Sequence, residues 1–282
     1  MKRSAPRPKK TQNWGCVVQI SKFGAKPRVK TRIDICPTHG EYDHKLVEAF
    51  DGQNLVLTCP RCRWEAINIA DTCSEAHTAA VANKRGEALN AALFATGIAP
   101  RFRSCSLDNY LTRLEGQKIV VGYCKAYVDQ FEENLSVGRC LLLLGNFGNG
   151  KTHLGCAILK EVVTRYGVSA LYAPAPDIIA ALKASFARDS CATEQSILTE
   201  LTKVDLLLID ELGAQGGTEF ERQSLHQIID TRYRNMRPTI VTSNLPSGKL
   251  SAYIGDRALD RLRENGGQAI TFDWESSRGG EQ

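Results

Sequence analysis

The sequence predicts an α/β fold in which a parallel sheet is flanked by helices, preceded by a small cysteine-containing module. Three observations carry that prediction. Short runs such as CLLLL (140–144) and VDLLLI (204–209, apolar but for Asp205) are continuous rather than alternating, as expected of strands covered on both faces. From Arg101 onward, strand-like and helix-like segments alternate, the order of a parallel sheet built from crossover units. A glycine-rich loop, GNFGNGKT (145–152), stands between the first such strand and a helical segment.

Taken in order, residues 1–33 read as a basic flexible arm. The chain's 36 Lys and Arg barely exceed its 31 Asp and Glu, yet Lys2, Arg3, Arg7, Lys9, Lys10, Lys22, Lys26, Arg28, Lys30 and Arg32 all fall in this segment, with no acid among them. Such a cluster either contacts nucleic-acid phosphates, with Trp14 and Phe23 as candidate stacking residues, or serves as a solubilising tail. The cationic start does not lead into an apolar segment, and no run of about 18 apolar residues occurs, so a secretory signal and a membrane span are not expected. The reading is a soluble, cytoplasmic protein without membrane partners.

Residues 34–70 contain Cys36-Pro-Thr-His39 and Cys59-Pro-Arg-Cys62. Paired C-x2-H and C-x2-C turns suit a tetrahedral Zn2+ held by three thiolates and one imidazole, and a module of this size needs such a staple. Four protein ligands leave no position for water, so the site is read as structural. Cys73 and His77, four apart, are either alternative ligands or ordinary helix residues; Cys16, Cys105, Cys124, Cys140, Cys156 and Cys191 have no partner at metal spacing. Residues 71–100 form an Ala-rich helical linker that stops at Gly97, before Pro100.

Residues 101–282 make up the main domain. Helices are expected at 119–134, 151–165, 176–187, 194–202 and 218–234, and strands at 140–144, 168–173, 204–209 and 238–243. The loop Gly145-Asn146-Phe147-Gly148-Asn149-Gly150-Lys151-Thr152 fits G-x-x-x-x-G-K-[ST] in its required strand–loop–helix setting. Glycines let backbone N–H groups wrap phosphates, the helix N-terminus adds partial positive charge, Lys151 reaches the β- and γ-phosphates, and the Thr152 hydroxyl ligates Mg2+. At the tip of the strand VDLLLI, Asp210 suits the Mg2+ role and Glu211 the polarisation of an attacking water, which favours ATP hydrolysis over binding alone. The strand PTIVTSNL ends in Asn244, either a turn former or a group that hydrogen-bonds the γ-phosphate or the water.

The order GxxxxGKT, hhhhDE, strand-TSN resembles an AAA+ ATPase core. Over DELGAQGGTEFERQSLHQIIDTRYRNMRPTIVTSNLP and GDRALDRLRENGGQAITFDWESSR, the chain resembles the DnaC-type replicative helicase loaders, whose relatives include phage loaders and the IstB ATPases. The likeness spans about residues 98–278. It implies a loader that places a hexameric DnaB-type helicase on single-stranded DNA during replication initiation. ATP-state protomers would self-associate, with binding and hydrolysis acting as an assembly and release switch. It also implies that Arg257 of IGDR acts in trans on a neighbour's nucleotide and that Arg278 of WESSR senses nucleotide in cis. The residues alone leave Arg257, Arg261 and Arg263 open to being a solvated helix face. The alternatives are an IstB-like regulatory ATPase of DNA transposition and a nucleotide-dependent scaffold with negligible turnover. The chain departs from the loaders in its N-terminal region, where the cysteine module replaces a plain helical segment.

Overall fold

A computed structural model describes residues 23–69, 71–187, 189–213 and 216–276. Trp14, Cys16 and Arg278 lie outside the described residues, as does most of the basic arm.

The N-terminal module is a three-stranded antiparallel sheet of β1 (Val29–Cys36), β2 (Gly40–Glu48) and β3 (Asn54–Leu57), in that order. Cys36 pairs with Gly40 across the β1–β2 turn, so the C-x2-H knuckle is the hairpin tip itself. β1 starts inside the span read as a flexible arm. Its Val29, Thr31, Ile33, Ile35 alternation is a strand period that the surrounding Lys and Arg had obscured. The second knuckle opens α1 (Pro60–Ile67), whose first residue is proline, where a missing N–H costs nothing. The linker is α2 (Glu75–Ala95), capped by the Ser74 side chain accepting from the His77 N–H.

The segment read as one helix at 119–134 is two: α3 (Glu115–Asp129) and α4 (Phe131–Val137). They break at Gln130, and Phe131 is driven fully into the core. Then follow β4 (Leu141–Gly145), α5 (Lys151–Tyr166), β5 (Ala170–Pro174), α6 (Ala175–Ser185), α7 (Glu194–Lys203), β6 (Leu206–Leu212), α8 (Glu219–Arg234) and β7 (Thr239–Ser243). Three further elements follow, α9 (Ser247–Ile254), α10 (Asp256–Arg263) and β8 (Gln268–Phe272); of these the sequence suggests only α10, as a possible helix face for Arg257, Arg261 and Arg263. The helices are only eight residues each, and QAITF is a half-exposed edge strand without an apolar run.

The five strands run parallel in the order β5-β6-β7-β4-β8. Strand period splits their side chains between two cores. Leu141, Leu143, Leu206, Leu208 and Ile240 face the layer containing α3 and α5, joined by Phe94 of α2. Leu142, Leu144, Leu207, Ile209 and Val241 face the layer of α6 to α10. At the amino ends of the strands Arg232 is fully buried, donating to the carbonyls of Leu201, Val204, Asp205 and Pro238 and to Thr239 Oγ1. Burial lowers its pKa to about 9, and carbonyl dipoles stand in for a counter-charge. No helix among the described residues is long and apolar enough to cross a membrane.

Candidate functional site

At the carboxyl ends of β4, β6 and β7 lies a cleft of about 340 Å³, lined in part by Gly148, Gly150, Lys151, Thr152, Glu211 and Asn244. The loop after β4 leaves the sheet at Gly145 and enters α5 through Gly150, whose φ is +90°. A Cβ at Gly150 would meet the Tyr110 ring at 2.4 Å, so both conformation and space demand glycine there. Asn149 anchors the loop: its carbonyl accepts from Tyr110 Oη (2.6 Å) and Trp274 Nε1 (3.2 Å), and its Nδ2 donates to the Phe272 carbonyl (3.1 Å). Lys151 is buried and donates from Nζ to the carbonyls of Gly145 (2.8 Å) and Asn146 (2.6 Å) and to Asn149 Oδ1 (3.0 Å). Phe147, by contrast, is 72% exposed at the loop's tip.

β7 lies between β4 and β6, yet Thr152 reaches Asp210 across it. Thr152 Oγ1 donates toward both Asp210 oxygens, at 2.9 and 3.1 Å. Asp210 is 2% exposed, and it also accepts from Thr242 Oγ1 and from Tyr172 Oη (3.0 Å). Neither Thr242 nor Tyr172 was singled out from sequence; a lone tyrosine in the small apolar strand ALYAP is the signal that could have found one of them. A threonine hydroxyl beside a buried carboxylate is a donor set that fits Mg2+, a hard cation that takes oxygen ligands.

Glu211 is the next residue, but it has φ +57°, a conformation that costs a β-carbon-bearing residue on the order of 1 kcal/mol. The register between β6 and β7 shifts at this point, and the Glu211 N–H donates to Thr242 Oγ1 at 3.0 Å. The kink leaves Glu211 exposed in the cleft between buried Asp210 and buried Leu212. Asn244 follows β7 directly and lines the same cleft.

The opposite wall is the segment preceding α3, with Arg101, Phe102, Ser104 and Cys105. Lys160 Nζ donates to the carbonyls of Arg103 and Cys105 (2.5 and 2.7 Å), and His153 Nε2 meets the Ser106 carbonyl at 2.9 Å, so α5 holds this wall in place. Nothing in the sequence marked it, because tertiary contacts with α5 bring it to the cleft.

Arg257 is not in this group. It sits in the first turn of α10, exposed, beside Asp256 and Asp260, with no ion pair or hydrogen bond among the described residues. Arg261, one turn on, pairs with Asp230 of α8 and lies over the Tyr233 ring, so the three arginines are not one uniform solvated face.

In the N-terminal module, donor atoms of Cys36, His39, Cys59 and Cys62 lie within 4.8 Å of one another. Cys36 Sγ is 3.6 Å from His39 Nδ1 and 3.5 Å from Cys62 Sγ, and His39 Nδ1 is 3.2 Å from Cys62 Sγ and 3.7 Å from Cys59 Sγ. Tetrahedral zinc with ordinary bond lengths gives donor separations of about 3.5–3.8 Å, so the donor set fits Zn2+, with the His39–Cys62 separation shorter than that range. The N–H groups of Thr38 and His39 help lower the Cys36 thiol to about 6, and His39 Nε2 meets Glu65 Oε1 at 2.9 Å, leaving Nδ1 as the ligand atom. Cys73 is exposed, and His77 Nδ1 meets the Ala66 carbonyl instead, so neither joins the cluster. Phe23, a candidate stacking residue from sequence, is partly buried against the sheet's second core.

The family model for the IstB-like ATP binding protein matches residues 129–264. The chain is 35% identical over 183 residues to the replicative helicase loader DnaC of Escherichia coli strain K12, a match covering 65% of this chain and 73% of that one. It is 34% identical over 183 residues to the uncharacterized protein YdaV of the same organism, covering 65% and 71%. Among solved structures, a DnaC helicase loader superposes with a TM-score of 0.56 at 25% identity, covering 62% of this chain and 99% of that one. DnaI superposes at 0.53 and 24% identity, covering 64% and 94%, a likeness of fold. With an AAA+ type sheet, a phosphate loop facing an Asp-Glu strand tip and these relatives, the chain belongs to the DnaC/IstB-like family of AAA+ ATP-binding proteins.

Proposed function

We propose that the protein is an ATP-dependent loader of a hexameric DnaB-type helicase onto single-stranded DNA at replication initiation. The observation that carries the reading is the Thr152–Asp210 contact in a cleft shared with Lys151, Glu211 and Asn244, in a chain 35% identical to DnaC. Backbone N–H groups of residues 145–152 and the α5 N-terminus would bind the phosphates, and Lys151 would leave its carbonyl partners for the β- and γ-oxygens. Thr152 and Asp210 would hold Mg2+, which supplies charge neutralisation when bound. Glu211, turned into the cleft, orients the attacking water and draws off its proton, while Asn244 hydrogen-bonds the γ-phosphate or that water.

Arg257 lies outside this cleft, which supports its supply to a neighbour's nucleotide. Its positive charge would then offset the charge that develops at the γ-phosphate, so hydrolysis requires assembly and ATP acts as a switch. Arg278 would sense nucleotide in cis, and Cys36, His39, Cys59 and Cys62 would hold a structural Zn2+. The IstB-like match covers a core that loaders and transposition ATPases share, and one binding experiment separates them. Full-length protein with ATP should retain a DnaB-type hexamer in a pull-down and release it with ADP; no binding in any nucleotide state, with capture of a transposase instead, would overturn the loader reading.

A further inference from the structure

Asp210 is pinned from both sides. β6 lies between β5 and β7, and each neighbour sends one hydroxyl to the carboxylate: Tyr172 Oη donates to Oδ2 at 3.0 Å from β5, and Thr242 Oγ1 donates to Oδ1 from β7. Thr152, the third donor, comes from the phosphate loop. The two strand hydroxyls thus hold the carboxylate from the sheet, while its contact with the loop runs through Thr152.

Tyr172 is built for this contact and for no other polar one. Its side chain is 7% exposed, its ring lies 6.4 Å from that of Phe102, and its own N–H is taken by the Thr96 carbonyl at 2.7 Å. Burial, followed by the negative charge of Asp210, pushes the phenol far above its ordinary value, so it remains a donor throughout the physiological range. A phenylalanine would fill the same space without burying a hydroxyl that requires a partner. The hydroxyl therefore serves the carboxylate, not the packing.

From this geometry we infer that Tyr172 is a positioning residue for the magnesium site: its hydroxyl fixes the Asp210 carboxylate in the orientation that meets a hydrated Mg2+ at Thr152. The inference rests on the nucleotide reading above. Groups that orient a metal's ligands typically control its affinity by factors of about 10–100. The ring of Tyr172 contributes only packing, and the substitution Tyr172→Phe keeps it.

The test is Mg2+ dependence of nucleotide binding and turnover in the full-length protein, using a fluorescent ATP analogue. Tyr172→Phe should fold normally by near-ultraviolet circular dichroism and bind the analogue in EDTA as the wild type does. It should need about tenfold more Mg2+ for half-maximal enhancement of binding and for half-maximal hydrolysis. A merely structural role would alter EDTA and Mg2+ binding together. If Tyr172→Phe failed to fold, Thr242→Val, which removes the opposite donor and also the acceptor of the Glu211 N–H, would read the same clamp through the Mg2+ shift in nucleotide binding alone. A Mg2+ requirement within twofold of wild type overturns the inference alone. A wild-type protein that binds no ATP in either condition overturns the nucleotide reading and the inference with it.

Discussion

Arg103 donates from Nη1 to Glu48 Oε1 at 2.9 Å, and this pair joins the cysteine module to the wall of the nucleotide cleft. The guanidinium also lies over the rings of Phe94 (4.5 Å) and Phe50 (5.3 Å), while the Arg103 carbonyl is held by Lys160. Arg103 holds the Glu48 carboxyl below its ordinary value of 4.5. A depressed acid contributes stability that is present above its unfolded value and lost as pH falls through the folded one. Arg103→Ala should therefore lower the melting temperature near neutral pH and flatten its decline below about pH 4.5. It should also expose residues 23–69 to trypsin sooner. An unchanged acid limb would count against the bridge.

Glu211→Gln keeps the shape and the hydrogen-bonding reach of the side chain but removes the base. ATP should still bind with wild-type affinity, while turnover falls by at least about a hundredfold. Equal turnover in the variant would remove Glu211 from its assigned role.

Because Arg257 stands apart from the cleft lined by Lys151, the two residues can be separated between subunits. Arg257→Ala alone should lose turnover on the order of a thousandfold. Mixing it with Lys151→Ala protein should recover part of it, since the Lys151→Ala subunit still offers Arg257 to an intact phosphate loop. Absence of recovery at every mixing ratio speaks for a role within one subunit.

Purified protein should contain close to one equivalent of zinc by elemental analysis, lost in Cys59→Ser together with the native melting transition of residues 23–69. Glu65→Gln should retain the metal but release it faster to a chelator, because His39 loses the carboxylate that orients it. A folded, metal-free wild type would dismiss the site.

Most of the sheet was legible because its strands are buried on both faces and read as unbroken apolar runs; LLLL and LLLI need no context. β8 was not, since QAITF is an edge strand with one half-exposed face, and its place beside β4 depends on the chain returning after α10. The phosphate-loop and acidic candidates were legible because each motif lies within one local segment. Tyr172, Thr242 and the Arg101–Cys105 wall come from three separate stretches of chain, and only the packing of β5 and β7 beside β6, and of the wall against α5, brings them to Asp210 and the loop. The Glu211 conformation was equally hidden, because nothing in DEL announces a left-handed backbone.

β7 is the middle strand of five, every residue from Thr239 to Ser243 is buried, and it is bonded to β4 on one edge and β6 on the other. Thr242 sits on this strand and Asn244 directly follows it, so both are carried by a buried strand bonded on both edges. A fulcrum has to be stiff to be useful. Under the proposed ATP switch, loss of a phosphate would not be taken up by bending this strand, and the movement would pass to what is hinged around it. There Gly255, at φ +87°, joins α9 to the helix that carries Arg257.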